Sequence, residues 1–328
     1  MFLFLYEKRG EDIVFKNGRQ VFLVGIVIAV ILLIFISNSF ADKRPRVVVV
    51  LKDLNSQYWE IMKAGAEKAF SDFGMDGKVI APVNESAIEQ SRLLEKTYQE
   101  NPDVLIVSPS DSTVIPILEK FTENKKIPVL LVDNDFPWKN KTSYIGTNNE
   151  ELGIKAGALL ASQLQPGNKV AIIGGDLSVS VFKERISGAK KALKDAGIIV
   201  ASETAGISSD SKNLKKEMTK ILREHPDIKG VIATNDLSAL LVIKELKEQG
   251  AIIPVIGADG IPDMLKLIKD GTISSTVAQN PYDMGYLAVE TALKVTKGKN
   301  VKKVVDTGVD IIIKENATQR LDFYKFLK

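Results

Sequence analysis

The sequence predicts an α/β protein of two doubly wound, Rossmann-like lobes joined by a multi-strand hinge and preceded by one transmembrane helix. Three observations carry this. Apolar, β-branched runs of strand length alternate with amphipathic stretches of helical length, which requires parallel sheets with right-handed crossovers. The rhythm restarts near residue 150, so two series of about four or five strands argue for two sheets rather than one. An unbroken apolar run, Val21–Ile36 (VFLVGIVIAVILLIFI), precedes all of it. At 328 residues a closed barrel of βα units is the main competitor.

With Ser37 to Ala41 the apolar run reaches 21 residues, and about 20 residues of helix span a hydrocarbon core of ~30 Å. A cleaved signal peptide competes with an uncleaved anchor. Ser39-Phe40-Ala41 offers small residues at the −3 and −1 positions of a cut. The twenty-residue leader and an apolar core longer than the usual ~7–15 residues favour the anchor. Residues 1–20 are then a cytoplasmic leader and 21–41 a signal anchor. The flanking charges, four basic residues before and three after, orient it weakly. The binding domain is placed outside the cell membrane because the arrangement looks like a retained secretory signal.

In the body, Arg46–Lys52 (RVVVVLK) reads as a strand buried on both faces. Tyr58–Phe73 follows with Trp59, Met62, Ala66, Ala69 and Phe70 at helical spacing. Strand Lys78–Pro82, helix Ala87–Glu100, strand Asp103–Ser108, helix Val114–Glu123 and strand Ile127–Asp133 complete the first series. The second runs through helix Glu151–Leu164, strand Lys169–Ile173, helix Val181–Ala196, strand Ile198–Glu203 and helix Leu214–Arg223. Strand Gly230–Thr234, helix Ser238–Gln249 and strand Val255–Ile256 follow. The chain is expected to cross between lobes near Asn148, Gln279 and Val309. This gives residues 46–147 plus 280–308 as the N-terminal lobe and 148–279 plus 309–328 as the C-terminal lobe.

Composition removes several functions. Lys plus Arg number 44 against 41 Asp plus Glu, too small an excess for nucleic-acid binding by bulk charge. Without cysteine there is no disulfide, thiolate metal site, Cys nucleophile or lipidated N-terminal Cys. One histidine, His225, leaves little for a Ser-His-Asp triad or a multi-His metal centre. His225 itself reads as a helix-capping or surface residue. Gly174-Gly175-Asp176 lacks the G-x-G-x-x-G of a dinucleotide loop. Asp133-Asn134-Asp135 lacks the following Gly and Glu of a calcium loop. No cofactor and no metal are expected.

Ligands of doubly wound sheets bind beyond the carboxyl ends of the strands. Those ends carry Asn55, Ser56, Tyr58 and Trp59; Ser108 to Ser112; Asp133 and Asn134; Ser178 and Ser180; Asn235 and Asp236; Asp259; and Gln279. This collection is rich in amides, carboxylates and aromatics and has no nucleophile–base pair. Each member has a plainer reading. Trp59 suits a helix core, Asp133 and Asp259 suit turns or N-caps, Ser180 suits an N-cap, and Arg185 suits a surface ion pair.

The body resembles the type 1 periplasmic sugar-binding proteins, the ribose-binding group especially. Leu54-Asn55-Ser56-Gln57-Tyr58-Trp59 looks like that family's Leu-Asn-Asn-Pro-Phe-Phe, and Ser108-Pro109-Ser110-Asp111-Ser112 like its Asn-Pro-Thr-Asp-Ser. Ile127-Pro128-Val129 ending in Asp133 and Arg185 with Gly188 match further motifs. So do His225-Pro226-Asp227 running on to Asn235-Asp236, Gly257-Ala258-Asp259-Gly260, and Thr276-Val277-Ala278-Gln279. These seven motifs, in the family's order, extend the resemblance from about Arg46 to about Glu315.

The resemblance implies the type 1 periplasmic-binding-protein fold and a non-enzymatic receptor that closes on a small sugar, with a pentose favoured. Carried over by position, the ligand contacts fall on Ser56, Tyr58, Trp59, Ser108, Asp133, Asn134, Arg185, Asn235, Asp259 and Gln279. Their chemistry suits a sugar: aromatic rings for its C–H face, and carboxylates, amides and a guanidinium fork for its hydroxyls. Two departures stand out. Ala258 replaces an aromatic, so one stacking face is missing or comes from elsewhere. Asn134 replaces a basic residue. The closed form would be presented to a membrane partner, either a sensor histidine kinase or an ABC permease. A sugar-responsive repressor of similar core would need a helix-turn-helix where this chain has its apolar run. Open-cleft carboxylates at 133 and 259 would cost little folding stability when removed.

Overall fold

Three open sheets, not a barrel, organise the body. The computed structural model describes residues 22, 26, 44–83, 85–177, 179–206 and 211–327. The chain divides into two units, residues 1–44 and 45–328. Of the apolar run in the first unit, only Phe22 and Ile26 are described, both helical and exposed. The expected leader and anchor otherwise lie outside the described residues. Among the described residues no helix is long and apolar enough to cross a membrane.

In chain order the strands of the second unit are β1 (Arg46–Val50), β2 (Asp76–Ile80), β3 (Val104–Val107), β4 (Val129–Val132), β5 (Ser143–Gly146), β6 (Lys169–Ile173), β7 (Ile199–Thr204), β8 (Ile228–Ala233), β9 (Val255–Ile256), β10 (Ala258–Asp259), β11 (Ser275–Ala278), β12 (Val304–Asp306) and β13 (Asp310–Ile313). The helices are α1 (Gln57–Phe73), α2 (Ala87–Glu100), α3 (Ile115–Glu119), α4 (Asn149–Ala161), α5 (Ser180–Asp195), α6 (Ser211–Glu224), α7 (Asp236–Glu248), α8 (Pro262–Lys269), α9 (Pro281–Thr296) and α10 (Lys314–Lys325).

The first lobe is built on a six-stranded parallel sheet of order β12-β5-β4-β3-β1-β2. Its inner strands β1, β3 and β4 are continuous apolar runs because helices cover both faces. The second lobe carries the parallel sheet β7-β6-β8-β9. Beyond Gly257 the chain enters a third sheet, β10-β11-β13, in which β13 runs antiparallel to β11. The alternating pattern therefore predicts parallel pairing correctly except at β13. There the chain passes from β12, in the first lobe's sheet, to β13 after only three residues and so enters the third sheet from the other lobe.

Three connections link the lobes, and hydrogen bonds tie them to one another. Thr307 N–H donates to the Gly146 carbonyl (2.9 Å), and Asn280 Nδ2 donates to the Thr307 carbonyl (3.0 Å). Asn148 N–H donates to Asp306 Oδ1 (3.4 Å).

Each lobe also contains one helix pair in backbone contact, made possible by a reciprocal pair of glycines. In the first lobe α1 lies on α9. A Cβ at Gly65 would sit 2.0 Å from the Tyr282 carbonyl oxygen, and one at Gly285 would sit 2.1 Å from that of Met62. In the second lobe α4 lies on α5. A Cβ at Gly153 would sit 2.1 Å from the Arg185 carbonyl oxygen, and one at Gly188 would sit 2.2 Å from that of Glu150. Even alanine at these positions forces the helices apart. The glycine three residues after Arg185 thus acts on the depth at which α5, and Arg185 with it, is seated.

Candidate functional site

The carboxyl ends of the strands of both lobes face one cleft of about 740 Å³. Nine of the ten residues singled out above line it: Ser56, Tyr58, Trp59, Asp133, Asn134, Arg185, Asn235, Asp259 and Gln279.

On the first lobe, Asp53 takes the backbone N–H groups of Asn55 (2.5 Å) and Ser56 (3.1 Å) and so shapes the loop into α1. Ser56 occupies the N-cap position without a side-chain capping bond. The first turn of α1 then delivers Tyr58 and Trp59, whose rings meet edge to face, 5.1 Å apart at 87°. Tyr58 Oη donates to Asp133 Oδ1 (2.6 Å). Asp133 directly follows β4 with φ of 66°, a left-handed conformation that a short polar side chain tolerates best. Its backbone is gripped on both sides: its N–H donates to the Ile145 carbonyl (2.9 Å) and its carbonyl accepts from Tyr144 Oη (2.9 Å). Asn134 is buried, with Nδ2 donating to the Pro109 carbonyl (2.9 Å).

On the second lobe Arg185 is buried rather than a surface ion-pair residue. Its Nε donates to Asn149 Oδ1 (3.0 Å), and Nη1 donates to the Thr234 carbonyl (2.6 Å) and to Asp259 Oδ1 (3.1 Å). Gln279 Nε2 donates to the same Asp259 oxygen (2.6 Å). Asp259, like Asp133, has positive φ, here 125°. Two non-glycine residues in this sparsely populated region on opposite walls of one cleft mark it as a place of stored backbone strain. Burial pushes the Asp259 carboxyl above the ordinary carboxylate range. The Arg185 cation and the Gln279 amide oppose this, and the Asp133 charge adds to it. Asn235 caps α7, accepting from Ser238 N–H (2.8 Å).

Several sequence expectations need correction. Ser108 does not reach the cleft. Its N–H donates to the Val50 carbonyl (2.9 Å), so it prolongs the β3 ladder and its fully buried side chain points into the lobe. Ser110, two residues on, lines the cleft instead, and its buried hydroxyl has no hydrogen-bond partner among the described residues. Asp259 is not an open carboxylate, because Arg185 and Gln279 both hold it. Ala258 lies in the core of its lobe beside Val277 and Leu152, since strand alternation sends 258 inward when 259 faces the cleft. The loss of an aromatic there alters the core. The second lobe's aromatic in the cleft is Phe182, set against Gly175, where a Cβ would meet its ring at 2.7 Å. Ser180 opens α5 rather than capping it, and its hydroxyl donates across the cleft to the Asp135 carbonyl (3.2 Å). Asp263 N–H makes a second bridge, to Gln57 Oε1 (3.2 Å).

Lys52 was legible only as the end of a strand. It follows β1, lines the cleft, and makes no hydrogen bond or ion pair among the described residues. Burial lowers its pKa, while the charges of Asp133 and Glu85 work against that. Asp236 is the other residue with a role beyond its motif. Its Oδ2 accepts from the N–H groups of Gly260 (2.6 Å) and Ile261 (2.9 Å), which pins the turn bearing Asp259. Burial pushes its carboxyl up to about 8. The Asp259 charge adds to this, and the bonds from Ile261, Gly260 and Thr276 pull the other way. The folded protein then holds a proton that the unfolded chain, with an ordinary carboxyl near pH 4, has released. Stability is therefore expected to fall as pH rises from about 4 to 8. The midpoint of urea unfolding, compared at pH 5 and pH 8, checks this. Asp236→Asn should flatten the difference, and an unchanged slope would contradict the assignment.

A family model described as a periplasmic binding protein domain matches residues 47–300. The chain belongs to this family. It is 32% identical over 269 residues to the ribose import binding protein of Bacillus subtilis, covering 82% of this chain and 87% of that protein. Among solved structures it superposes with a TM-score of 0.78 on GanP, a glucose-galactose binding protein from Geobacillus stearothermophilus. That match is 29% identical and covers 84% of this chain and 99% of GanP. An ABC transporter solute-binding protein from Burkholderia graminis in complex with D-arabinose gives 0.77 at 30% identity, covering 85% and 99%. The two-lobed α/β architecture is that of these neighbours. The relatives are binding proteins and not enzymes, and so is this chain.

Proposed function

We propose that this protein is a receptor that binds a small sugar, a pentose in the first instance, by closure of its two lobes. One observation carries the proposal. Both lobes send carboxylates into the shared cleft, Asp133 from the end of β4 and Asp259 from the end of β10 among them, with the aromatic pair Tyr58 and Trp59 on one wall and Phe182 on the other. Asp133, Asp259, Asn235 and Gln279 would bind hydroxyls. Arg185 would hold Asp259 in place, and Lys52 and Ser110 would supply further polar contacts. Tyr58, Trp59 and Phe182 would cover the C–H faces. Lobes 46–147 plus 280–308 and 148–279 plus 309–328 are the bodies that close. The names of the relatives, which bind ribose, arabinose, glucose or galactose, support the ligand class.

In this reading the apolar run at residues 21–41 anchors the receptor outside the cell membrane. It holds the receptor beside a membrane partner and raises the effective concentration of each for the other. That favours presentation of the closed form to a sensor histidine kinase. An ABC permease is the second reading, favoured by the relatives' names, which are those of importers. Genes for a kinase and response regulator beside this one would support the first, and permease and ATPase genes the second. Recovery of a soluble form beginning at Asp42 would remove the anchor.

Ligand binding is tested by a thermal-shift panel of D-ribose, D-arabinose, D-allose, D-glucose and D-galactose on the full chain. A ligand at about 100 times its Kd adds about 2.7 kcal/mol, a rise of a few degrees in Tm. No shift with any of them would remove the sugar reading.

A further inference from the structure

Helix α10 lies beyond residue 300, where the family match ends, and it carries a side chain that reaches back to the lobe connections. Arg320 Nη2 donates to the Gln279 carbonyl (2.7 Å) and to Asn280 Oδ1 (2.6 Å). Its Nη1 pairs with Asp310 Oδ2 (3.1 Å), and its Nε donates to Tyr324 Oη (2.9 Å). One guanidinium thus joins the second connection, at 279–280, to the start of β13 just past the third connection. Asn280 in turn donates to the Thr307 carbonyl. The other end of Gln279 is the amide that holds Asp259 in the cleft at 2.6 Å.

We propose that Arg320 is a positioning residue for the cleft: by bracing Gln279 and Asn280 from outside, it holds the Gln279 amide on Asp259. The consequence for binding rests on the sugar reading above; the bracing itself does not. The backbone at 279–280 lies outside regular structure, so its position depends on what grips it. The planar fork of arginine can serve several acceptors in different directions at once, which a lysine cannot. Tyr324, whose ring lies 5.5 Å from the guanidinium carbon, helps to aim the fork. Helix α10 is therefore a brace behind the hinge.

The experiment uses the full chain and the variants Arg320→Met, Arg320→Lys, Gln279→Ala and the double variant Arg320→Met with Gln279→Ala. The first measurement needs no ligand. Amide hydrogen exchange in peptides covering residues 278–283 should quicken about tenfold or more in Arg320→Met, the effect of losing about 1.4 kcal/mol of local stability. The second is calorimetry with D-ribose, D-arabinose and D-allose. Arg320→Met should bind the sugar that the parent prefers about tenfold more weakly, and Arg320→Lys should recover only part of the loss. In the Gln279→Ala background, Arg320→Met should cost little more, because both act through one contact. A merely structural helix would give penalties that add in full. Unchanged exchange at 278–283, or fully additive losses, would overturn the proposal. If the parent binds none of the three sugars, the ligand reading is weakened and the exchange result still decides the brace.

Discussion

Replacement of Arg185 by methionine is expected to abolish ligand binding and to lower the unfolding free energy by about 3–5 kcal/mol, the range for breaking a buried ion pair from one side. The side chain is 5% exposed and its partner Asp259 14%. Removing the guanidinium leaves the Asp259 carboxylate, the Thr234 carbonyl and the Asn149 amide oxygen without this donor in a largely dry site. Arg185→Lys keeps the charge but not the fork, and it should recover less than half of the loss. The telling variant is Arg185→Met combined with Asp259→Asn. It should be more stable than Arg185→Met alone, because the stranded charge is gone. Urea unfolding measures all three. A loss below about 1 kcal/mol for the single variant would mean that the guanidinium is not buried as described.

The second large effect is expected at Asp133, and it falls on binding more than on folding. Asp133→Ala should weaken sugar binding by about 2–4 kcal/mol, or ~30- to 1000-fold, through loss of charge-assisted bonds. The folded state loses mainly the acceptor for Tyr58, plus the cost of placing alanine at φ of 66°, about 1–2 kcal/mol. Asp133→Asn separates the two, since asparagine accepts that backbone conformation and carries no charge. It should fold like the parent and still bind weakly. Asp259→Ala, by contrast, should harm both properties, because it strands Arg185. Asp111 is the control. It caps the short turn Ser112–Val114, accepting from Thr113 N–H (2.7 Å), and does not line the cleft. Calorimetry in which Asp133→Asn binds within threefold of the parent while Asp111→Ala does not would move the site elsewhere.

Much of the fold is legible in the sequence because parallel strands covered on both faces leave long apolar runs. Arg46–Val50, Val104–Val107 and Val129–Val132 are read with no reference to anything else. Two strands are not. Ser143–Gly146, inside the sheet, and Val304–Asp306, at its edge, are short, and the second is half solvated, so neither has a period to read. In the cleft, the strand ends locate the loops, but side-chain direction is decided by register. That is what hides Ala258 in the core while Asp259 faces out. Ser108 still belongs to the β3 ladder, and the chain reaches the cleft only at Ser110. The contact of Arg185, on α5, with Asp259, at a strand end, spans 74 positions and leaves no local mark. Lys52, a lone cation ending an apolar strand, is the one missed residue that carried a signal.

The reciprocal glycine pairs have a consequence for the order in which the protein is made. The two helices of the second lobe's pair, α4 and α5, are separated only by β6, so their backbones can meet soon after residue 195 leaves the ribosome. The first lobe's pair joins α1 to α9, and Gly65 waits for residues 282–285, more than two hundred positions downstream. Closing so long a loop is slow, and a partner that does not yet exist cannot be awaited cheaply. The helix pair begun first is therefore the pair closed last, and the exposed α1 face is the surface for which a chaperone would compete during synthesis. Stalled nascent chains ending near residue 270 should show 149–195 resistant to protease while 57–73 is still cut. Equal resistance of the two segments would reverse the order.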